Sequence, residues 1–103
     1  MDIIHRIKKQ PQEQYPVAID FDDRLPTGVL PSSVTISAID LSTGEAITTV
    51  YQSASGTISG TEAIGFLKGG ISGGKYKVTY LVTCNDTPAS TLEEEILLEV
   101  DSI

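Results

Sequence analysis

Side chains able to do chemistry are few and scattered in this 103-residue sequence. A nucleophilic hydrolase needs a nucleophile, a base within its reach and a group to orient that base. His5 is the sole histidine and Cys84 the sole cysteine. His5 falls in what reads as an edge strand at the start of the chain. Cys84 ends a long strand on its inward face, where a small thiol fills core space. No basic residue stands beside it to lower its pKa. Asp20, Asp22 and Asp23 could offer oxygens to a hard cation such as calcium. Strand alternation, however, sends Asp20 and Asp22 to one side and Phe21 to the other, and the segment lacks the central glycine and closing glutamate of a calcium loop. Glu93, Glu94 and Glu95 cannot all line one site, because neighbours on a strand point to opposite faces. The run Gly69-Gly70-Ile71-Ser72-Gly73-Gly74 has the glycines of a phosphate loop but no Lys-Ser/Thr ending and no following helix. It reads as tight turns with positive φ. The sequence therefore predicts no catalytic, cofactor-binding or metal-ligating residues, no cofactor and no enzyme.

Composition narrows the partners. The formal net charge is -7 with a sequence pI near 4.4, which opposes nucleic-acid binding and docking on anionic membranes. His5, Arg6, Lys8 and Lys9 cluster near the start, whereas Glu93, Glu94, Glu95, Glu99 and Asp101 gather near the end. A basic head and an acidic tail can pair within one domain or between copies. A single cysteine allows no internal disulfide, which fits a reducing compartment. The stretch MDIIHRIKKQPQEQ has no apolar h-region, so no secretory signal is expected. The expected site of synthesis is the cytoplasm.

Alternation dominates the pattern. Tyr15, Val17, Ile19 and Phe21 fall at every second position, as do Val34, Ile36 and Ala38, and Tyr76, Val78, Tyr80, Val82 and Cys84. Period two over such lengths means strands with one buried face. Breaks at Leu25-Pro26-Thr27-Gly28, Ser42-Thr43-Gly44-Glu45, Gly56, Gly60, the glycine run and Asn85-Asp86-Thr87-Pro88 punctuate them. The spacing predicts strands at 3–9, 15–21, 33–40, 46–52, 61–67, 75–84 and 93–100, with Thr57–Ser59 as a short extra one. Residues 1–103 thus read as one all-β domain, an antiparallel immunoglobulin-like β-sandwich of about seven strands. Tyr76, at the start of the long strand, is the candidate for a tyrosine corner, in which the hydroxyl ties to nearby backbone.

The last two strands predict a hairpin with Cys84 opposite Leu92. Tyr80 then faces Ile96, Val78 faces Leu98 and Tyr76 faces Val100, while Lys77 meets Glu99 and Lys75 meets Asp101. Glu94 alone lands on the inward side, near the loop, where the rim would give it water. A one-residue slip would turn the glutamates into the core.

The stretch KKQPQEQYPVAIDFDDRLPTGVLPSSVTISAID, with GTISGTEAIGFLKGGISGGKYKVTYLVTCNDTPASTLEEEILLEV, resembles small structural proteins of tailed bacteriophages and prophages of the tail, fibre-adaptor or capsid-associated kind. The resemblance spans about residues 8–100. Where a shorter turn is usual in that group, this chain has NDTPAST. The resemblance implies a virion structural or assembly protein acting by contact with other virion structural proteins, or with further copies of itself as a homo-oligomer. The expected contact elements are the N-terminal strand and the Asp22–Ser33 loop, because strand addition needs an open edge. An immunoglobulin-like adhesion module for protein or carbohydrate is the alternative. Sugar sites stack rings on aromatics, and this chain has no Trp and only four Tyr.

Overall fold

The computed structural model describes residues 5–101, apart from the His5 side chain. Eight strands are present among the described residues: β1 His5–Lys9, β2 Tyr15–Asp20, β3 Pro31–Asp40, β4 Ala46–Ile47, β5 Thr57–Ser59, β6 Glu62–Leu67, β7 Lys75–Cys84 and β8 Thr91–Val100. Residues 3 and 4 of the first expected strand lie outside the described residues. Two sheets face each other, one in the order β1-β8-β7-β3-β4 and the other β2-β6-β5. In immunoglobulin terms β3, β4, β7 and β8 occupy the C, C′, F and G places, and β2, β5 and β6 the B, D and E places.

The alternation seen in sequence becomes the core. Ile19 and Phe21 of one layer meet Val34, Ile36, Ala38, Tyr76, Val78, Tyr80, Val82, Ile96, Leu98 and Val100 of the other, all buried. Phe21 keeps its inward place although the chain has left the strand there for the short 3-10 turn Asp22–Arg24.

Residues 46–52 do not form the continuous strand expected of them. Only Ala46 and Ile47 pair with β3, at Ile39 and Ala38. The chain then crosses to the other sheet: Lys68 N–H donates to Val50 O at 3.0 Å and Gln52 N–H to Phe66 O at 2.9 Å. It crosses back at once, with Ile36 N–H donating to Ala54 O (2.7 Å) and Gly56 N–H to Val34 O (3.1 Å), before joining β6 as β5. The cause lies in Val50 and Tyr51. These neighbours are both buried, which a flat strand with alternating faces cannot achieve. Residues 46–59 thereby stitch the two sheets together along one side. Gly56 permits this, since a Cβ there would lie 2.5 Å from Ile64 O and 2.8 Å from Val34 Cγ1.

The other side is open. β1 pairs with β8 alone and β2 with β6 alone. The β1–β8 ladder is parallel, a departure from the all-antiparallel expectation. Residues 10–14 lead from β1 over to the opposite sheet instead of folding back, so β1 runs in the same sense as β8. In β2 the Phe21 N–H reaches Thr61 O across the ladder, which fixes the odd residues toward β6 and turns Pro16, Ala18 and Asp20 outward. Pro16 therefore loses no ladder bond, as a strand proline requires.

The final hairpin corrects the expected register by two residues. Val82 is opposite Leu92, Tyr80 opposite Glu94, Val78 opposite Ile96, Tyr76 opposite Leu98, Lys77 opposite Leu97 and Lys75 opposite Glu99. A shift of two keeps every side chain on its face, so hydrophobic alternation cannot tell the two registers apart. The loop decides: Asp86 accepts from Ser90 N–H at 2.7 Å and from Ser90 Oγ, while Cys84 N–H donates to Ser90 O at 2.9 Å. The ladder consequently runs on past Lys75, with Val100 N–H donating to Gly74 O (3.0 Å) and Gly73 N–H to Val100 O (2.8 Å).

Candidate interaction surfaces

The reactive side chains singled out above are dispersed. His5 opens β1 opposite Ile96. Cys84 is buried at the far end of β7, and burial, then Asp86, pushes its thiol up from the ordinary value, away from the thiolate a nucleophile needs. Asp20 Oδ1 accepts from Thr61 Oγ1 (2.7 Å) and from Asp22 N–H (2.9 Å). These bonds hold its carboxyl below the usual range. No cluster of three His, Cys, Asp or Glu that could hold a metal ion occurs among the described residues. The glycine run is a loop with positive φ at Gly69, Gly70 and Gly73. The three glutamates diverge. Glu95 meets Lys77 at 3.5 Å on the outer face. Glu94 faces inward, where Arg24 Nη1 lies 3.6 Å from its carboxylate, donates to Glu93 O at 3.0 Å and sits over the Phe21 ring. A counter-charge thus serves Glu94, in addition to the water expected at the rim.

Two tyrosines of β7 fix the geometry. Ile71 N–H donates to the Tyr76 hydroxyl at 3.0 Å, five residues upstream and in the place of a tyrosine corner. Tyr80 spans the core and donates its hydroxyl to Val17 O at 2.8 Å. Gly65, opposite Val17 in the β2–β6 ladder, makes room for it, since a Cβ there would come within 2.7 Å of the hydroxyl. Burial pushes the Tyr80 phenol up to about 12, with the Gly65 backbone hydrogen bond opposing.

On the open side, Asp101 N–H donates to Lys9 O at 2.9 Å. This turns the backbone groups of odd β1 residues toward β8 and those of Arg6 and Lys8 away along the edge, where Lys8 O accepts from the Tyr15 hydroxyl at 3.4 Å. Lys9 anchors the strand. It is 3% exposed, and its ammonium donates to Gly69 O (2.6 Å) and Gln10 O (2.7 Å). Burial pushes it below the usual lysine value, with Glu13 opposing. Arg6 lies 3.9 Å from Glu99, so a basic strand rests against an acidic one.

The two ends of the sandwich differ. At one, Asp20, Asp22, Asp23 and Glu62 gather with Asp86, Glu93 and Glu94, and Arg24 is the one basic residue among the described residues there. At the other, Lys8, Lys9, Lys68 and Lys75 mix with Glu13, Asp40, Glu45, Glu99 and Asp101. Each end also carries apolar side chains that sequence reasoning passed over: Leu30 (48% exposed) at the acidic end, Leu41 (49%) and Ile71 (74%) at the mixed one. Their signal was present in sequence. Ile71 stands between two Gly-Gly pairs, and an apolar residue so placed has no strand neighbours to cover it.

A two-layer immunoglobulin-like sandwich with one stitched side, one open edge and apolar side chains held outward is a fold fitted for protein contact. Residues 9–99 match the family described as Podophage GP4 fiber-tail adaptor protein gp77, and the chain belongs to that family. No curated protein matches the sequence. No helix among the described residues is long and apolar enough to cross a membrane.

Proposed function

We propose that this chain is a non-enzymatic part of a phage virion that joins neighbouring structural proteins, fibre on one side and tail on the other. The observation that carries the reading is the family match over residues 9–99. The open β1 edge supports it. Arg6 and Lys8 turn their backbone groups outward there, with a long bond from the Tyr15 hydroxyl to Lys8 O (3.4 Å) across them, and a strand from a neighbour can add to this edge. The Asp22–Ser33 loop offers a second contact at the acidic end. In this reading the chain acts as one domain, without cofactor or metal, and reaches the virion after synthesis in the bacterial cytoplasm.

Co-purification with candidate tail and fibre proteins of the same virion tests the reading. Lys8→Pro removes an N–H only from the open edge and leaves the ladder to β8 intact. The variant should melt near the parent and lose the tail protein. Unchanged capture by a folded Lys8→Pro chain would move the contact away from β1. Failure of the unaltered chain to capture either fibre or tail protein would overturn the adaptor role.

A further inference from the structure

We propose that the outer face of the β2-β6-β5 sheet carries a shallow site for a neutral sugar, with Phe66 as its platform and Gln52, Ser55 and Thr57 as its hydrogen-bonding wall. This goes beyond the adaptor reading and does not depend on it.

The site follows from the crossing of residues 46–59. Pairing sets Pro16 opposite Phe66 and Thr57 opposite Ile64, so these four side chains share the face that points away from the core. Phe66 is 38% exposed there. Beside it the chain passes between the sheets, with Gln52 N–H tied to Phe66 O (2.9 Å) and Ser55 bridged to Thr35 of β3. Ser53 Oγ accepts from Ser55 N–H at 3.1 Å, which fixes the passing segment further. A wall held this way needs no ordering when a ligand arrives. The depression it encloses has a volume of about 290 Å³, near the lower end for small-ligand pockets.

Two features name the ligand. None of the residues lining the depression is charged, in a chain of net charge -7. Carboxylates begin one row further along the same face, at Glu62 opposite Asp20 and Ser59. A charged ligand would find no counter-charge, so a neutral one fits. The Gln52 amide and the Ser55 and Thr57 hydroxyls have no hydrogen-bond partner among the described residues. Amides and hydroxyls both donate and accept. Sugar hydroxyls do the same, whereas a proline-rich peptide, the other ligand that lies on exposed rings, brings carbonyl acceptors and few donors. The C–H face of the sugar then covers Pro16 and the Phe66 ring, whose negative face attracts such groups.

Titration of the isotope-labelled full chain with glucose, galactose, mannose, rhamnose and N-acetylglucosamine, followed by amide shifts, tests the proposal. At least one of these sugars should saturate the site with Kd about 1–10 mM, as a one-ring ligand does. The shifts should gather at residues 52–57 and 64–66. Phe66→Ala should weaken binding at least about tenfold and Gln52→Ala at least about threefold. Glucuronate should bind no better than glucose. Both altered side chains are exposed, and thermal melts check the fold; Gln52→Ala decides alone if Phe66→Ala unfolds. No saturable shift with any of the five sugars would overturn the proposal. So would shifts centred elsewhere, a folded variant that binds like the parent, or tighter binding of glucuronate than of glucose. Hexaproline moving these amides while the sugars leave them in place would assign the face to a peptide and overturn it equally.

Discussion

The two sides of the sandwich solve the problem of sheet edges in opposite ways. On one side residues 46–59 pass from sheet to sheet and use the edge hydrogen bonds of β3 and β6 in turn. On the other, β1 and β2 end their sheets with backbone groups turned outward. The stitched side has no room for change: Gly56 is pressed against Ile64 O and Val34. The open side is held by side chains that reach across, Tyr80 to Val17 for β2 and Lys9 to Gly69 for β1. Stability is thus concentrated along one flank and access along the other, so a change on the stitched side should act on the whole molecule and one on the open side locally.

The largest effect should come from the stitched side. Gly56→Ala forces a Cβ into Ile64 O and Val34 Cγ1 and should cost about 1–3 kcal/mol, read as an earlier urea midpoint with an unchanged slope. Tyr80→Phe comes next. It leaves Val17 O without the hydroxyl inside the core, at about 1–3 kcal/mol. It should also change the alkaline limb. The folded phenol titrates at about 12 against the ordinary 10.0, so the unfolded chain loses this proton first. That contribution to stability is full below pH 10 and falls as pH rises toward 12, by on the order of 2 kcal/mol. The parent should show this fall in urea melts between pH 9 and pH 12, and Tyr80→Phe should lack it.

Lys9→Met sharpens the comparison from the open side. The stem still packs, but the Gly69 and Gln10 carbonyls lose their donor. Amide exchange in β1 should quicken by about tenfold or more, while amides of β7 keep their protection; equal loss in both would show that the two sides are not separate. The smallest effect belongs to Lys77→Ala, which removes a half-exposed ion pair with Glu95 and should shift stability by no more than about 0.5 kcal/mol in thermal melts.

Much of the fold was legible in sequence because a strand's alternation reports which face is buried. Tyr76 through Cys84 and Ile96 through Val100 point where the pattern puts them. What the pattern does not encode is a shift of two residues, and the Asp86–Ser90 bonds that select the register arise within a loop. The parallel placement of β1 is equally silent, since alternation says nothing of a strand's neighbour. The crossing at Val50-Tyr51 could have been suspected from two adjacent large apolar residues. Among the candidate surfaces, the first strand and the loop after β2 were named from their position in the pattern. Ile71 is exposed as its place between two Gly-Gly pairs suggests, but its meeting with Leu41 was not legible, because the two are far apart in sequence and come together only when the β3–β4 and β6–β7 turns converge on one end.

The parallel β1–β8 ladder has a mechanical meaning. Its five pairs run from His5 opposite Ile96 to Lys9 opposite Val100. A pull on the start of β1 against the end of β8 draws the two strands past each other along their length. All five pairs then carry the load together, whereas an antiparallel pair pulled from adjacent ends peels open one bond at a time. Tension applied in this direction would meet the sandwich where it yields least.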